Sequence, residues 1–341
     1  MIHGIERLPR LKLGFYPTPL SEARRLSSVL GGPRIFIKRE DLTGLALGGN
    51  KCRMQEFILG YAREQGYDAL VSTASSQSNT CVQAAAVARM LGMKPCFVLL
   101  KGVHNERQGN LLLHDILESD IEILELSDLT QVGGAHVSEK LDAAADRLRS
   151  EGYTPFIFKH SLPHIAAVIA PVGWVNGADE LTQQLRDRNV KADYVALANA
   201  SGATQAGLTL GMKYLGADCR VIGYTVLWKA EDAVAATIKQ ANATAEYLGI
   251  DTLVDEGDVE IHDACVGDLY AMPNEECIDA VRLVAQTEGI FLDPIYTGRA
   301  MAGLIGSIRE GRFKSTDTVV FIHTGGTAAL FAYHEGIARQ Q

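Results

Sequence analysis

The sequence predicts an α/β protein built from two open, mostly parallel twisted sheets covered by helices. Along most of the 341 residues, short apolar and β-branched runs alternate with longer segments of helical spacing, as in parallel strands joined by helices. The chain is also longer than one hydrophobic core ordinarily organises, which favours two lobes. The alternation is least regular at 163–171, where we expect a domain transition. We predict a large domain of residues 1–52 and 162–341 and a small domain of residues 53–161.

The predicted elements follow one another in regular order. Prolines make residues 17–20 rigid and extended, and the first apolar run predicts a strand at 34–38. Further strands are predicted at 69–72, 96–100, 121–126, 156–158, 194–198, 221–226 and 319–323. Helices are predicted to begin at 51 and 327 and to span about 79–91, 110–117, 136–150, 175–185, 205–215, 231–247, 275–288 and 298–308.

Composition and charge argue against several classes of protein, including nucleic-acid-binding and membrane proteins. The net charge is −9 without a long run of either sign, which argues against a nucleic-acid or anionic-membrane partner. The first ten residues lack an apolar signal core, and no segment approaches the ~18 uninterrupted apolar residues of a membrane span. We therefore expect a cytoplasmic enzyme. The six cysteines are scattered without a C-x-x-C pair, so neither a metal site nor a disulfide framework is predicted.

The segment GGNKCR at 48–53 is the first candidate for chemistry. Its glycines permit a tight turn and the apolar residues after it have helical spacing, so Lys51 is expected where a loop becomes a helix. The partial positive charge of a helix N-terminus lowers the pKa of an ammonium group. A lysine with a lowered pKa forms Schiff bases with carbonyl groups, including the aldehyde of pyridoxal phosphate. The alternative, from this segment alone, is an ordinary solvated lysine.

The loop at 199–204 is a second candidate, because it follows a predicted strand and opens a helix. Its small residues expose backbone N–H groups at a helix N-terminus, an arrangement that binds anions. With hydroxyls from Ser201 and Thr204 it suits a phosphate monoester, although it lacks the Walker lysine and the G-x-G-x-x-G spacing. A strand-to-helix turn capped by Ser or Thr is the alternative.

Three further segments carry polar side chains near strand ends. The loop at 75–80 has six polar residues, more than one helix cap needs, and could hold a carboxylate. The segment DPIYTG at 293–298 places the phenol of Tyr296 and the hydroxyl of Thr297 before a helix. In HTGGT at 323–327, Thr324 follows a strand and could hydrogen-bond a ring nitrogen without fully protonating it. Each hydroxyl could equally be a simple cap.

Taken in order, these segments resemble the pyridoxal-phosphate enzymes of the tryptophan-synthase-β type (fold type II). Within that type they resemble the 1-aminocyclopropane-1-carboxylate deaminase and D-cysteine desulfhydrase family, over nearly the whole chain. The matching segments are PTPL at 17–20, KRED at 38–41, GGNK at 48–51, QSN at 77–79, GNL at 109–111, GATQAG at 202–207, PNE at 273–275, DPIY at 293–296 and GG at 325–326.

The resemblance implies pyridoxal 5'-phosphate as the cofactor, a small amino acid as the substrate and a homodimer as the assembly. It makes Lys51 the lysine that bonds to the cofactor aldehyde and Asn79 a partner of the ring hydroxyl. Thr324, with Thr297 nearby, would contact the pyridine ring. The phosphate would be held by Ser201, Gly202, Ala203 and Thr204.

The resemblance also implies the substrate contacts. Ser78, with Asn79 and Thr80 beside it, would bind the substrate carboxylate. Tyr270 and Tyr296 would flank the reacting carbon and its leaving group. Together with Lys51, the residues Ser78, Tyr270 and Tyr296 are therefore the expected catalytic residues.

Two positions favour β-elimination over cyclopropane ring opening. In the family that this chain resembles, ring-opening deaminases carry Glu after the tyrosine of the Asp-Pro loop and Leu before the late glycine pair, whereas desulfhydrases carry Thr at both. This chain has Thr297 and Thr324. Hydroxyls make the pyridine a milder electron sink than a carboxylate does, which suffices when a good leaving group departs from Cβ. We therefore expect α,β-elimination of D-cysteine to pyruvate, sulfide and ammonia.

The chain departs from the family pattern at three places. Ala74 and Ser75 replace the usual glycines, Thr80 replaces Gln or His, and KHSLPH at 159–164 replaces a Gly-Gly-Ser-type turn. The lysine and histidines of that turn could meet a second anionic group, such as a sulfonate or carboxylate, or could form a solvated loop. L-Cysteate sulfo-lyase activity, 1-aminocyclopropane-1-carboxylate deamination and pyridoxal-phosphate binding without turnover are therefore the alternatives.

Overall fold

The computed structural model describes residues 2, 4–126, 132–264 and 271–338 and confirms the α/β class with two sheets. The strands are β1 (Leu20–Glu22), β2 (Arg34–Arg39), β3 (Ala69–Ser75), β4 (Lys94–Leu100), β5 (Asp120–Leu124), β6 (Pro155–Phe158), β7 (Tyr194–Asn199), β8 (Arg220–Thr225), β9 (Glu260–His262) and β10 (Thr318–His323). The helices are α1 (Arg24–Leu30), α2 (Lys51–Glu64), α3 (Asn79–Met90), α4 (Asn110–Ile116), α5 (Ala135–Ser150), α6 (Ile165–Ile169), α7 (Val172–Asp187), α8 (Ala203–Tyr214), α9 (Ala230–Leu248), α10 (Glu275–Glu288), α11 (Thr297–Arg309), α12 (Thr327–Ala332) and α13 (His334–Ile337). None of these helices has the length and apolar character that a membrane span requires.

The strands segregate into a large and a small sheet. The large sheet has the order β1-β2-β10-β7-β8-β9, and the small sheet has the order β5-β4-β3-β6. The pairs are parallel except β1 with β2, which run antiparallel. The carboxyl ends of neighbouring parallel strands therefore meet at one edge of each sheet, where ligands bind in open α/β folds.

Both faces of the large sheet are covered by helices, as near-continuous apolar strands require. In β2, Ile35 and Ile37 pack against residues of α10 and α11, whereas Phe36 between them belongs to the core formed with α2, α7 and α8. All six residues of β10 are buried. The pleat alone assigns successive residues to the two cores.

The sequence patterns predicted every described helix of eight or more residues and missed several of the short elements. The structure adds β1 and β9, each of three residues, and the short helices α1, α6 and α13. A period of 2 or 3.6 residues needs several repeats before it can be recognised, so such elements leave little signal. The extended PTPL segment leads directly into β1, in which Leu20 pairs with Lys38.

Candidate active site

A cavity of about 520 Å³ opens between the two sheets, at the carboxyl ends of β3, β6, β7 and β10. It brings together most of the residues that the sequence singled out. The predicted site residues among its walls are Lys51, Ser78, Asn79, Thr80, Ser201, Gly202, Ala203, Thr204, Tyr296 and Thr324. Thr297 is not among the lining residues, and Tyr270 lies outside the described residues.

The loop before Lys51 requires its two glycines. Gly48 has φ +78°, and a Cβ there would lie 1.9 Å from the carbonyl oxygen of Asp41. Gly49 forms an isolated antiparallel bridge with Gly325, at the end of β10. Only residues without a side chain allow these backbones to approach so closely. The result places Lys51 at the first position of α2, facing the cavity, as the sequence predicted.

The Lys51 amine has a lowered pKa, as an amine that forms Schiff bases requires. Burial among the cavity walls lowers the pKa of its ammonium group to about 8. The direction matches the prediction from the sequence, and burial is the cause that the structure identifies. About a tenth of Lys51 is then neutral at pH 7, far more than for a solvated lysine.

Asn50 connects the lysine loop to two other walls of the cavity. Its backbone N–H donates to the Thr324 carbonyl oxygen at 2.9 Å, and its Nδ2 donates to Thr204 Oγ1 at 2.8 Å. The residue immediately before Lys51 therefore fixes the spacing between the lysine loop and the 201–204 loop. Sequence reasoning missed this role, because nothing local marks a contact between residues 154 positions apart.

The 201–204 loop has the geometry of an anion site. Gly202, at φ +87°, immediately precedes α8, whose first turn has N–H groups without intrahelical partners. A Cβ on Gly202 would lie 3.2 Å from Thr237 Oγ1, so a side chain would crowd the space between this loop and α9. Among the described residues, no aspartate or glutamate lines the cavity. A phosphate dianion therefore meets backbone and hydroxyl donors here and no carboxylate.

The N-terminus of α3 forms the opposite wall. Ser78 caps the helix by accepting a hydrogen bond from the Cys81 N–H at 3.2 Å. Asn79 Oδ1 accepts from Asn110 Nδ2 at 2.8 Å, which turns the Nδ2 donor of Asn79 toward another acceptor. Such a donor suits the ring hydroxyl oxygen of pyridoxal phosphate, the partner that the family resemblance implies for Asn79. Asn110, unassigned in the sequence analysis, is thus the residue that orients Asn79; the GNL segment was its signal.

The DPIYTG segment has a structural role besides its place at the cavity. The buried Asp293 carboxylate accepts from the backbone N–H groups of Ile295, Tyr296 and Thr297 at 2.8–2.9 Å. It also accepts from Thr297 Oγ1 at 2.6 Å. Thr297 therefore helps to fix the turn that carries Tyr296. The buried Thr324, by contrast, lines the cavity, and its hydroxyl has no hydrogen-bond partner among the described residues.

The turn that departs from the family pattern forms the wall after β6. His160 Nε2 lies 2.9 Å from the Thr73 carbonyl oxygen, and burial together with the Lys51 ammonium lowers the His160 pKa to about 4. Lys159 Nζ donates to Ser138 Oγ at 3.0 Å and lies 3.8 Å from the carboxylate of Asp142. The turn thus presents a neutral imidazole and a lysine that contacts Ser138 and Asp142.

These features fit pyridoxal phosphate. The 201–204 loop offers donors for the phosphate, and Lys51 offers an amine of lowered pKa for the aldehyde. The Nδ2 of Asn79 and the hydroxyl of Thr324 are available for the ring oxygen and the ring nitrogen. Asn50, through its hydrogen bond to Thr204, fixes the position of the Lys51 amine relative to the 201–204 loop.

Comparison with known proteins also indicates a pyridoxal-phosphate enzyme. The sequence model of the family described as pyridoxal-phosphate dependent enzyme matches residues 11–325. A D-cysteine desulfhydrase of Klebsiella pneumoniae strain 342 is 39% identical over 339 residues, covering 98% of each chain. A D-cysteine desulfhydrase of Klebsiella pneumoniae subsp. pneumoniae is 38% identical over 340 residues, again covering 98% of each.

Solved structures agree on the fold. The crystal structure of an ACC deaminase homologue superposes with a TM-score of 0.87 at 30% identity, covering 99% of both chains. An O-ureido-L-serine-bound mutant of O-ureido-L-serine synthase superposes with a TM-score of 0.63 at 15% identity, covering 100% of this chain and 96% of that one, and shows the fold alone. The chain therefore belongs to the pyridoxal-phosphate dependent enzymes, as a lyase of the 1-aminocyclopropane-1-carboxylate deaminase and D-cysteine desulfhydrase family.

Proposed function

We propose that this enzyme converts D-cysteine to pyruvate, sulfide and ammonia by α,β-elimination. The observation that carries the proposal is one cavity in which Lys51, the α3 N-terminus and the 201–204 loop converge, in a chain related over nearly its full length to D-cysteine desulfhydrases. The hydroxyl of Thr324 in that cavity supports elimination of a good leaving group.

Each side chain has a definite task in this proposal. When bound, pyridoxal phosphate supplies an electron sink for the negative charge that develops at the substrate Cα. Lys51 Nζ takes the Cα proton, which its lowered pKa permits near neutral pH. Ser78, Asn79 and Thr80 bind the carboxylate at the start of α3. Tyr296 borders the reacting carbon, and the Asp293 turn holds its backbone.

The cofactor contacts belong to the same proposal. Ser201, Gly202, Ala203 and Thr204 hold the phosphate, Asn79 Nδ2 donates to the ring oxygen, and the Thr324 hydroxyl faces the ring nitrogen. Thr297 acts on the ring only indirectly, by holding the Asp293 turn. The family resemblance implies that Tyr270, which lies outside the described residues, contacts the substrate together with Tyr296.

The proposal also covers the assembly, the location and the domain division. The family resemblance suggests a homodimer, and the composition suggests the cytoplasm. The strands of the small sheet lie between residues 69 and 158, and those of the large sheet lie before 40 or after 193. This segregation supports the division into residues 1–52 with 162–341 and residues 53–161.

The deciding experiment is a screen of D- and L-amino acids for keto-acid release by the purified holoenzyme. We expect pyruvate from D-cysteine, and none from the Lys51→Ala variant, which should also lose the visible absorbance of the lysine-bound cofactor. Pyruvate from L-cysteate alone would make the enzyme a sulfo-lyase. Release of 2-oxobutyrate from 1-aminocyclopropane-1-carboxylate without pyruvate would make it a deaminase, and no product with intact cofactor absorbance would indicate binding without turnover.

A further inference from the structure

His160 lines the cavity and has no task in the proposed function. It lies two residues after β6, which pairs with β3. The loop after β3 carries Ser78, so His160 borders the substrate end of the cavity and not the phosphate end. A substrate held by its carboxylate at α3 and by its reacting carbon near Lys51 would direct its side chain along the remaining wall.

The hydrogen bond to Thr73 fixes the tautomer of His160. A carbonyl oxygen can only accept, so Nε2 must carry the proton in the 2.9 Å contact. The ring is also held against Phe158, with centroids 4.6 Å apart. Nδ1 has no hydrogen-bond partner among the described residues and is the polar atom that the ring can offer to a ligand.

The charge state of the ring follows from its surroundings. Burial, the Lys51 ammonium on α2 and His164 at the start of α6 all lower the His160 pKa, and the Thr73 bond opposes them only in part. The imidazole is therefore neutral at physiological pH, and Nδ1 has a lone pair. An acceptor at this place attracts a donor and repels an anionic oxygen.

We propose that His160 determines substrate specificity: its Nδ1 accepts a hydrogen bond from the β-substituent of the substrate. This inference rests on the proposed function and refines its substrate class to amino acids with a thiol or hydroxyl at Cβ. It disfavours substrates whose β-substituent is a sulfonate or carboxylate, which offer only acceptors. Lys159 also lines the cavity, where its Nζ donates to Ser138 Oγ at 3.0 Å and lies 3.8 Å from the Asp142 carboxylate.

Two variants separate the two ring nitrogens. His160→Gln places an amide donor near the position of Nε2 and can keep the bond to Thr73, but it removes the Nδ1 acceptor. His160→Asn places an amide near Nδ1 and gives up the Thr73 bond.

The variants are compared on D-cysteine, whose thiol can donate a hydrogen bond, and on S-methyl-D-cysteine, which lacks that donor. Wild type should prefer D-cysteine in kcat/KM, and His160→Gln should reduce that preference about tenfold. Partial recovery is expected in His160→Asn.

A binding measurement keeps this test independent of turnover. D-Serine and O-methyl-D-serine differ in the same way, and titration of the holoenzyme's visible absorbance gives their affinities even if no pyruvate is released from any substrate. If the wild-type enzyme released no pyruvate from any substrate, the proposed function would be refuted, but the His160 proposal would still be tested by the binding measurement. An unchanged ratio in His160→Gln for both pairs would overturn the His160 proposal. So would nitrogen NMR of labelled histidine that placed the proton of neutral His160 on Nδ1.

Discussion

The pKa of the Lys51 amine sets the pH range in which this amine is neutral. Only the neutral amine is nucleophilic, and the Lys51 pKa is lowered to about 8. Covalent incorporation of pyridoxal phosphate into cofactor-free protein should therefore quicken about tenfold per pH unit below 8 and level off above it. Stopped-flow absorbance between pH 6 and 10 measures this rate. A midpoint near 10.5 would show that burial does not act on this amine.

Thr297 and Thr324 differ in what they contact, so their substitutions should have different effects. Thr297→Glu brings a second carboxylate next to buried Asp293 and breaks the 2.6 Å hydrogen bond, so we expect a loss of about 2–4 kcal/mol in the free energy of unfolding. Thr324→Leu removes a hydroxyl that lines the cavity and should mainly lower the rate of pyruvate formation.

Urea unfolding and pyruvate release, measured on both variants, test this difference. Thr297→Ser is the matched control, because it retains the hydroxyl and should stay close to wild type. Equal stability of Thr297→Glu and wild type would mean that Asp293 does not depend on Thr297. The double variant Thr297→Glu with Thr324→Leu would thus change the stability and the reaction rate together, so the single variants are the informative ones.

The helix α8 offers two glycines for a controlled test of the phosphate site. Gly202 precedes the helix at φ +87° and would point a Cβ toward Thr237, whereas Gly216 lies after the helix at φ +63° with open space around it. Both Gly→Ala changes carry backbone strain of roughly 1 kcal/mol. Only Gly202→Ala should also weaken cofactor affinity, by about tenfold or more, measured by equilibrium dialysis. Equal loss in both variants would place the phosphate elsewhere.

The long elements and the motif residues could be predicted because their signal is local. The 16-residue helices α5 and α7 repeat their apolar spacing over several turns, and GGNK marks a loop-to-helix junction by itself. β9, with three residues, repeats nothing. The contacts of Asn50 with Thr204 and of His160 with Thr73 join residues 154 and 87 positions apart, so they exist only once the chain has folded.

At the scale of the whole molecule, a buried ionic network connects α2, which carries Lys51, to the large sheet and α7. Arg53 on α2 contacts Glu40, after β2, and Glu180 on α7, each at 2.7 Å, and is 1% exposed. Arg53→Met leaves both carboxylates without this partner and should cost about 3–5 kcal/mol of unfolding free energy. Arg149→Met, which removes an exposed ion pair with Asp146, is the control and should change it by less than about 0.5 kcal/mol. Urea denaturation of the two variants gives both values; similar losses would refute the role of the network.

The buried histidines should make the whole fold sensitive to acid. Burial lowers the pKa of His114 and of His160 to about 4, so the unfolded chain binds protons at these sites below pH 6.5 while the folded chain does not. Stability therefore falls as pH decreases from about 6.5 to 4. His114, fully buried beside Phe97, contributes about 2–3 kcal/mol of that loss at pH 4.5.

His114→Phe removes this titration and should flatten the dependence of unfolding free energy on pH by about one proton between pH 6 and 4.5, whatever its effect at pH 7. Chemical denaturation of the holoenzyme at several pH values measures the slope. An identical slope in wild type and His114→Phe would mean that His114 protonates in the folded protein as readily as in the unfolded chain, and that acid acts through other groups.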